Sequence, residues 1–205
     1  QGRITMGPER DESGLGVAFA VTRSVRDTAS LLDAVAGPGI GDNVIAPRPE
    51  RPYAEEMNLE PGRLRIGLLD HHPLGRSVHP DCVDAVRHAA TVLEGLGHDL
   101  EPGHPAVLED QTFSTRFMAM WATNMALGIS SLGASVGREL TESEVEPVNW
   151  AMAQFAKQMP ATDYGSALAA VTEYRRKIQS WWADGWDLLL TPTLAEPPVR
   201  IGEHA

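Results

Sequence analysis

Few side chains in this sequence could form a covalent intermediate with a carbonyl substrate. That chemistry needs a nucleophile beside a base, together with backbone N–H donors aimed at the developing oxyanion. The chain has only two lysines, Lys157 and Lys177, and both fall in polar registers of predicted helices. The pair Ser130-Ser131 lies in Gly-Ile-Ser-Ser-Leu-Gly, which lacks the dense glycine run of a tight anion-binding turn. We therefore assign no catalytic residue, and we interpret the serine pair as a small-residue helix contact, with a catalytic role as the less favoured alternative.

Histidine and aspartate are concentrated in one short segment. His71, His72 and His79 lie close together, flanked by Asp70 and Asp81. A zinc site needs convergent ligands, usually spaced along a hairpin or one helix face. This segment instead contains Pro and Gly and follows a predicted strand, which favours a solvated loop. We predict no metal site here and no cofactor.

The segment over residues 113–125 is the best candidate for a binding surface. Phe113, Phe117 and Trp121 recur every four residues, and either Asn124 or Met125 follows on the same helical face. Such a face would present large apolar groups beside a side-chain amide and could hold the apolar part of a substrate. Aromatic residues at this spacing more often form a core stripe, so that alternative stays open. The predicted substrate-binding residues are Phe113, Phe117, Trp121 and Asn124.

Composition and charge narrow the class of protein. With 205 residues, of which 42% are hydrophobic, the chain can build one domain with a real core. A net charge of −11 argues against a nucleic-acid partner, whose phosphates require clustered Lys and Arg. The absence of an 18-residue apolar run argues against a membrane span. One cysteine, Cys82, excludes an internal disulfide framework and fits a reducing compartment, so we expect a cytoplasmic protein.

Capping residues, Pro and Gly divide the chain into predicted elements. Helices are predicted over residues 25–36, 83–96, 113–132, 142–159 and 162–183. Strands are predicted over residues 64–69, 98–101 and 186–191. Ser24 caps the first helix, Pro147 lies in the early turns of the fourth helix or breaks it, and residues 39–62 indicate a long surface connection. The strand, helix and strand over residues 64–101 form a β-α-β pattern, which would add strands to a larger sheet.

Several short sequence motifs occur together in an order that is specific to one family. They are Gln1-Gly-Arg-Ile-Thr-Met-Gly-Pro8, Arg23-Ser-Val-Arg-Asp27, Pro61-Gly-Arg-Leu-Arg-Ile-Gly67, His79-Pro-Asp81 and Asp187-Leu-Leu-Leu-Thr-Pro-Thr193. In this order the chain resembles the amidase signature hydrolases over essentially its whole length. Within that family the wording is similar to actinobacterial amidases and to 6-aminohexanoate cyclic-dimer hydrolases.

The resemblance carries definite implications for fold and function. It implies an α/β fold with a mixed β-sheet covered by helices, in which residues 1–205 are the C-terminal portion of a single amidase domain. The family's catalytic serine, cis-serine and lysine would then lie upstream of Gln1. We expect the intact enzyme to hydrolyse a small-molecule amide without a cofactor, while this chain supplies scaffold and pocket wall and is inactive alone.

Two questions stay open at this point. The first is whether the chain is instead a non-catalytic binding or interaction protein derived from the amidase scaffold, since an acidic chain with several amphipathic helices can bind a partner without doing chemistry. The second is whether it forms a homo-oligomer.

Overall fold

The computed structural model describes residues 2–6 and 16–203. Gln1 and Gly7-Pro8 of the opening motif lie outside the described residues. Contacts divide the chain into two compact units, residues 1–61 and residues 62–205. No helix in the described part of the chain is both long and apolar enough to cross a membrane.

The first unit contains the helix α1, Val25–Val35, where the sequence predicts one. The Ser24 hydroxyl oxygen accepts a hydrogen bond from the Asp27 N–H at 3.1 Å, which confirms the predicted N-cap. Asp27 lies in the first turn, where a carboxylate suits the positive end of the helix dipole. A local sequence signal therefore fixes the start of α1.

A short helix, α2, occupies Tyr53–Glu56 inside the predicted long connection. The Asp33 carboxylate accepts hydrogen bonds from the N–H groups of Tyr53, at 2.7 Å, and Ala54, at 3.0 Å. These bonds satisfy donors that a helix N-terminus leaves unpaired. The connection is thus not entirely irregular, because a carboxylate 20 residues earlier in the chain supports a helical turn there.

The second unit is built on a parallel three-stranded sheet of order β2-β1-β3. The strands are β1, Arg65–Leu68, β2, Asp99–Pro102, and β3, Leu188–Leu190. The helix α3, Pro80–Gly95, connects β1 to β2, which pair in parallel from Arg65↔Asp99 onward. The β-α-β unit and the α/β class are confirmed. All of the pairing among these three strands is parallel.

Three helices complete the second unit: α4, Phe113–Ser135, α5, Pro147–Gln158, and α6, Ala161–Ala183. α4 packs against both α5 and α6. Pro147 is the first residue of α5, where its missing N–H costs no hydrogen bond. The helix predicted over 142–159 is therefore broken before Pro147, and a single 3₁₀ turn, Glu142–Glu144, precedes it.

A stack of tryptophan rings lies against the sheet. The rings of Trp181 and Trp186 are nearly parallel, with centroids 4.8 Å apart, and Trp181 is only 9% exposed. The Arg65 guanidinium carbon lies 3.9 Å from the Trp186 ring centroid, within the range of a cation–π contact. Gly67 of β1 lets the Trp181 ring approach the strand closely. This packing places Trp181 in the core beside the central strand.

Candidate substrate-binding site

The predicted aromatic face of α4 is present in the structure as a continuous row of rings. The ring centroids of Phe113 and Phe117 are 6.1 Å apart, and those of Phe117 and Trp121 are 5.5 Å apart. Both distances lie in the range in which tilted aromatic pairs attract each other. The helix therefore positions three of the four predicted binding residues on one face by its 3.6-residue period alone.

The first end of this row is anchored in the interface between α4 and α6. The Phe113 ring stacks on Tyr174 of α6, with centroids 3.7 Å apart and an angle of 18° between the planes. Phe113 also packs against the cluster of Met120, Ala167 and Val171. Burial raises the pKa of the Tyr174 phenol above its ordinary value, and the nearby charge of Asp110 acts in the same direction. Phe113 thus uses much of its surface for packing.

The second end of the row is open. Trp121 is 47% exposed, whereas the preceding residue, Met120, is fully buried. Asn124 lies one turn further along the same face and is partly buried. Its side-chain amide forms no hydrogen bond with any residue in ranges 2–6 and 16–203, so its donors and acceptor are available. This end therefore presents an apolar ring face beside a side-chain amide.

The serines and lysines weighed for catalysis have separate environments. Ser130 and Ser131 are exposed on α4, and within the described part of the chain no serine hydroxyl hydrogen-bonds a lysine amine. The Lys177 ammonium lies 2.7 Å from a carboxylate oxygen of Glu173, one turn away on α6. The Lys157 ammonium lies 6.0 Å from the Trp150 ring centroid. The structure therefore places both lysines on exposed helix faces, as the sequence predicts.

The three histidines considered as metal ligands each have a different contact in the structure. His79 Nδ1 accepts from the Asp81 N–H at 3.2 Å and caps α3, and His72 Nδ1 accepts from the Leu74 N–H at 3.0 Å. His71 Nδ1 lies 3.4 Å from an Asp70 carboxylate oxygen. Among the residues that the structure describes, no group of three or more His, Cys, Asp and Glu side chains has the arrangement of a metal site.

One polar cluster was not anticipated from the sequence. Arg87 Nε donates to Asp70 at 2.9 Å, and this hydrogen bond holds the pKa of the Asp70 carboxyl below its usual range. The rings of His71 and His104 meet edge to face at 5.6 Å, and His104 Nε2 lies 3.2 Å from Glu109. Asp70 and His104 each follow a strand, and carboxyl ends of neighbouring parallel strands share an edge. The position of Asp70 and His104 after two predicted strands is therefore the sequence signal from which the cluster could have been predicted.

Comparison with known proteins decides the family. The sequence model of the Amidase family matches residues 7–205. The chain belongs to the amidase signature family. A solved bacterial aryl acylamidase of the same family superimposes on it with a TM-score of 0.72, covering 87% of this chain at 22% identity. At that identity the likeness shows a shared amidase fold.

Two curated amidases are more similar in sequence. The chain is 38% identical over 208 residues to the 6-aminohexanoate-cyclic-dimer hydrolases of Pseudomonas sp. (strain NK87) and Paenarthrobacter ureafaciens. A solved structure of 6-aminohexanoate cyclic dimer hydrolase complexed with substrate matches 88% of this chain with a TM-score of 0.84 and 39% identity. The alignment takes in 99% of this chain but 42% of each hydrolase, so the chain spans less than half of their length.

Proposed function

We propose that this chain acts within an amidase that hydrolyses the carbon–nitrogen bond of a small-molecule amide to an acid and ammonia or an amine. In this proposal the chain supplies scaffold and one wall of the substrate pocket. The observation that carries it is the open end of the α4 row, where Trp121 and Asn124 lie on an amidase fold. Aliphatic cyclic amides are the first substrates to test, because two relatives are named for the 6-aminohexanoate cyclic dimer.

The open end suits an amide for simple physical reasons. The half-exposed Trp121 ring has surface that the apolar part of a substrate could cover, at about 25 cal/mol per Å² of apolar area removed from water. The Asn124 amide can both donate to and accept from the amide group of a substrate. Contacts of this kind hold the scissile carbonyl in place for a nucleophile, and that positioning lowers the barrier. The proposed contribution of this chain is therefore substrate orientation.

The bond-breaking groups in this proposal come from the segment that the family resemblance places before Gln1. A serine oxygen attacks the amide carbonyl, and its proton passes through the second serine and the lysine to the departing nitrogen. The amine leaves, and water then cleaves the acyl-enzyme ester to release the acid and regenerate the serine. Without these groups we expect the 205-residue chain alone to be inactive.

A hybrid enzyme tests both parts of the proposal. Residues 1–205 would replace the matching segment of the Pseudomonas hydrolase, and amine release would be measured from the cyclic dimer and from a panel of linear and aromatic amides. We expect the hybrid to hydrolyse at least one amide and the chain alone to hydrolyse none. Circular dichroism on both proteins checks that each is folded.

Two outcomes would contradict this proposal. A folded hybrid without activity on any amide would favour the alternative of a non-catalytic binding protein on the amidase scaffold. Turnover by the isolated chain that disappears on changing one of its own residues to alanine would show that the chain carries a nucleophile or base itself.

A further inference from the structure

A concave surface lies in the first unit, and its lining contains no residue of α4. The end of α1 and the segment 45–53 border a groove of about 500 Å³. Its polar lining includes Arg3, Arg48 and Arg51. Its apolar lining includes Ala36, Ile45, Pro47 and Pro52. Three arginines thus line the groove beside an apolar wall, and its volume is within the range of about 300–1,000 Å³ that small-molecule sites occupy.

None of these three guanidinium groups is hydrogen-bonded to a carboxylate within the described part of the chain. Arg3 Nη1 donates to the Tyr53 hydroxyl at 2.8 Å. Arg48 forms no hydrogen bond or ion pair with a described residue. Arg51 forms ion pairs with Glu50 at 3.7 Å and Glu56 at 3.6 Å, so among the described residues only Arg3 and Arg48 of this groove lack a carboxylate partner.

The acidic residues of the lining already have partners within the chain. Asp33 lines the groove, but its two oxygens accept from the N–H groups of Tyr53 and Ala54. Glu50 is the other acidic residue of the lining, and together with Glu56 it is ion-paired with Arg51.

Four arginines of the second unit behave differently. Arg63, Arg65, Arg87 and Arg138 each donate to a carboxylate of the chain itself. Arg3 and Arg48 therefore keep donors available that these four arginines use within the chain. Planar guanidinium forks match the two oxygens of a carboxylate, which favours an anion of that shape.

We propose that this groove binds an organic anion that carries a carboxylate on an apolar body. The carboxylate accepts hydrogen bonds from Arg48 and its neighbours, and the body lies against the Ile45 and Pro47 side of the groove. The site does not depend on the proposed amide hydrolysis, because none of its residues belongs to α4.

The test is a ¹⁵N NMR titration of the full 205-residue chain with hexanoate. We expect saturable shift changes at the Gly37 and Ala46 amides and at the Arg48 Nε–H, with affinity that falls as salt is added. Hexan-1-ol and hexylamine have the same apolar body without the carboxylate, and they should leave these signals unchanged. Inorganic phosphate has the charge without the body, and it should bind more weakly than hexanoate.

Two matched variants locate the site. Arg48→Gln should weaken hexanoate binding about tenfold or more, since a hydrogen bond to a charged group contributes about 1.5–3 kcal/mol. Arg76→Gln removes an exposed arginine of the second unit that has no hydrogen bond or ion pair with a described residue, and it should leave the affinity unchanged. Equal affinity in the parent chain and in both Arg48→Gln and Arg3→Gln would overturn the proposal. Equal binding of hexan-1-ol or phosphate would also overturn it.

Discussion

Replacing Gly67 by alanine should destabilise the second unit, because there is no room for a methyl group at this point of the central strand. A Cβ atom at Gly67 would lie 2.6 Å from the Gly103 carbonyl oxygen and 2.7 Å from two ring atoms of Trp181. The oxygen is backbone and belongs to a residue whose N–H donates to Leu68 at 3.2 Å, so it cannot retreat freely. The Trp181 ring is held by its stack with Trp186. Overpacking of this kind costs about 1–3 kcal/mol, and we expect the upper part of that range.

The assay is thermal unfolding followed by circular dichroism and calorimetry. For a chain of this size, 2–3 kcal/mol corresponds to a fall in Tm of about 5–10 °C. Gly128→Ala is the matched control, since Gly128 lies inside α4 and a Cβ there meets nothing within 4 Å. That variant should gain up to about 1 kcal/mol from helix propensity. Unchanged or increased stability of Gly67→Ala would refute the packing argument.

The remaining predictions concern the α4 row and one ion pair. In the hybrid hydrolase, Trp121→Ala should change the ratio of kcat/KM between bulky and small amides. The control Met120→Ala should lower the free energy of unfolding by about 2–5 kcal/mol without changing that ratio. An unchanged ratio in Trp121→Ala would identify the row as core. Hydrogen bonds from Arg138 and then Thr141 hold the pKa of the Glu144 carboxyl at about 2, below its ordinary 4.5. The stabilisation from the ionised Glu144 is therefore present above pH 4.5 and lost as the pH falls toward 2. Glu144→Gln should flatten the dependence of Tm on pH in that window. Equal slopes of Tm against pH for the parent and the variant would show that the Arg138–Glu144 pair contributes nothing to stability.

Much of the fold follows from signals within a few residues. Ser24 caps α1 because its hydroxyl reaches an N–H three residues ahead, and Pro147 begins α5 because proline fits only the first turn of a helix. The short turn at Tyr53 escaped prediction because its stabilising carboxylate, Asp33, lies 20 residues earlier in the chain. Contacts that depend on tertiary placement leave no local pattern.

The same division applies to the candidate site. The 3.6-residue period predicts that Phe113, Phe117 and Trp121 share a face, and the ring distances agree. The period does not say which end of the face is covered. That depends on Tyr174, 61 residues after Phe113, which stacks on one end and leaves Trp121 half exposed.

The pairing of β1 with β3 sets the order in which this protein can be assembled during synthesis. β1 and β2 are separated only by α3 and its loops, so that pair can form once about half of the chain has left the ribosome. The Arg65 N–H, in contrast, donates to Asp187, 122 residues later, and β3 pairs with β1 just beyond that point. From the synthesis of β1 until that of β3 the second edge of β1 is therefore unpaired, and an exposed strand edge can pair with another chain. Nascent chains that stall before Leu188 would be the aggregation-prone species in a cell.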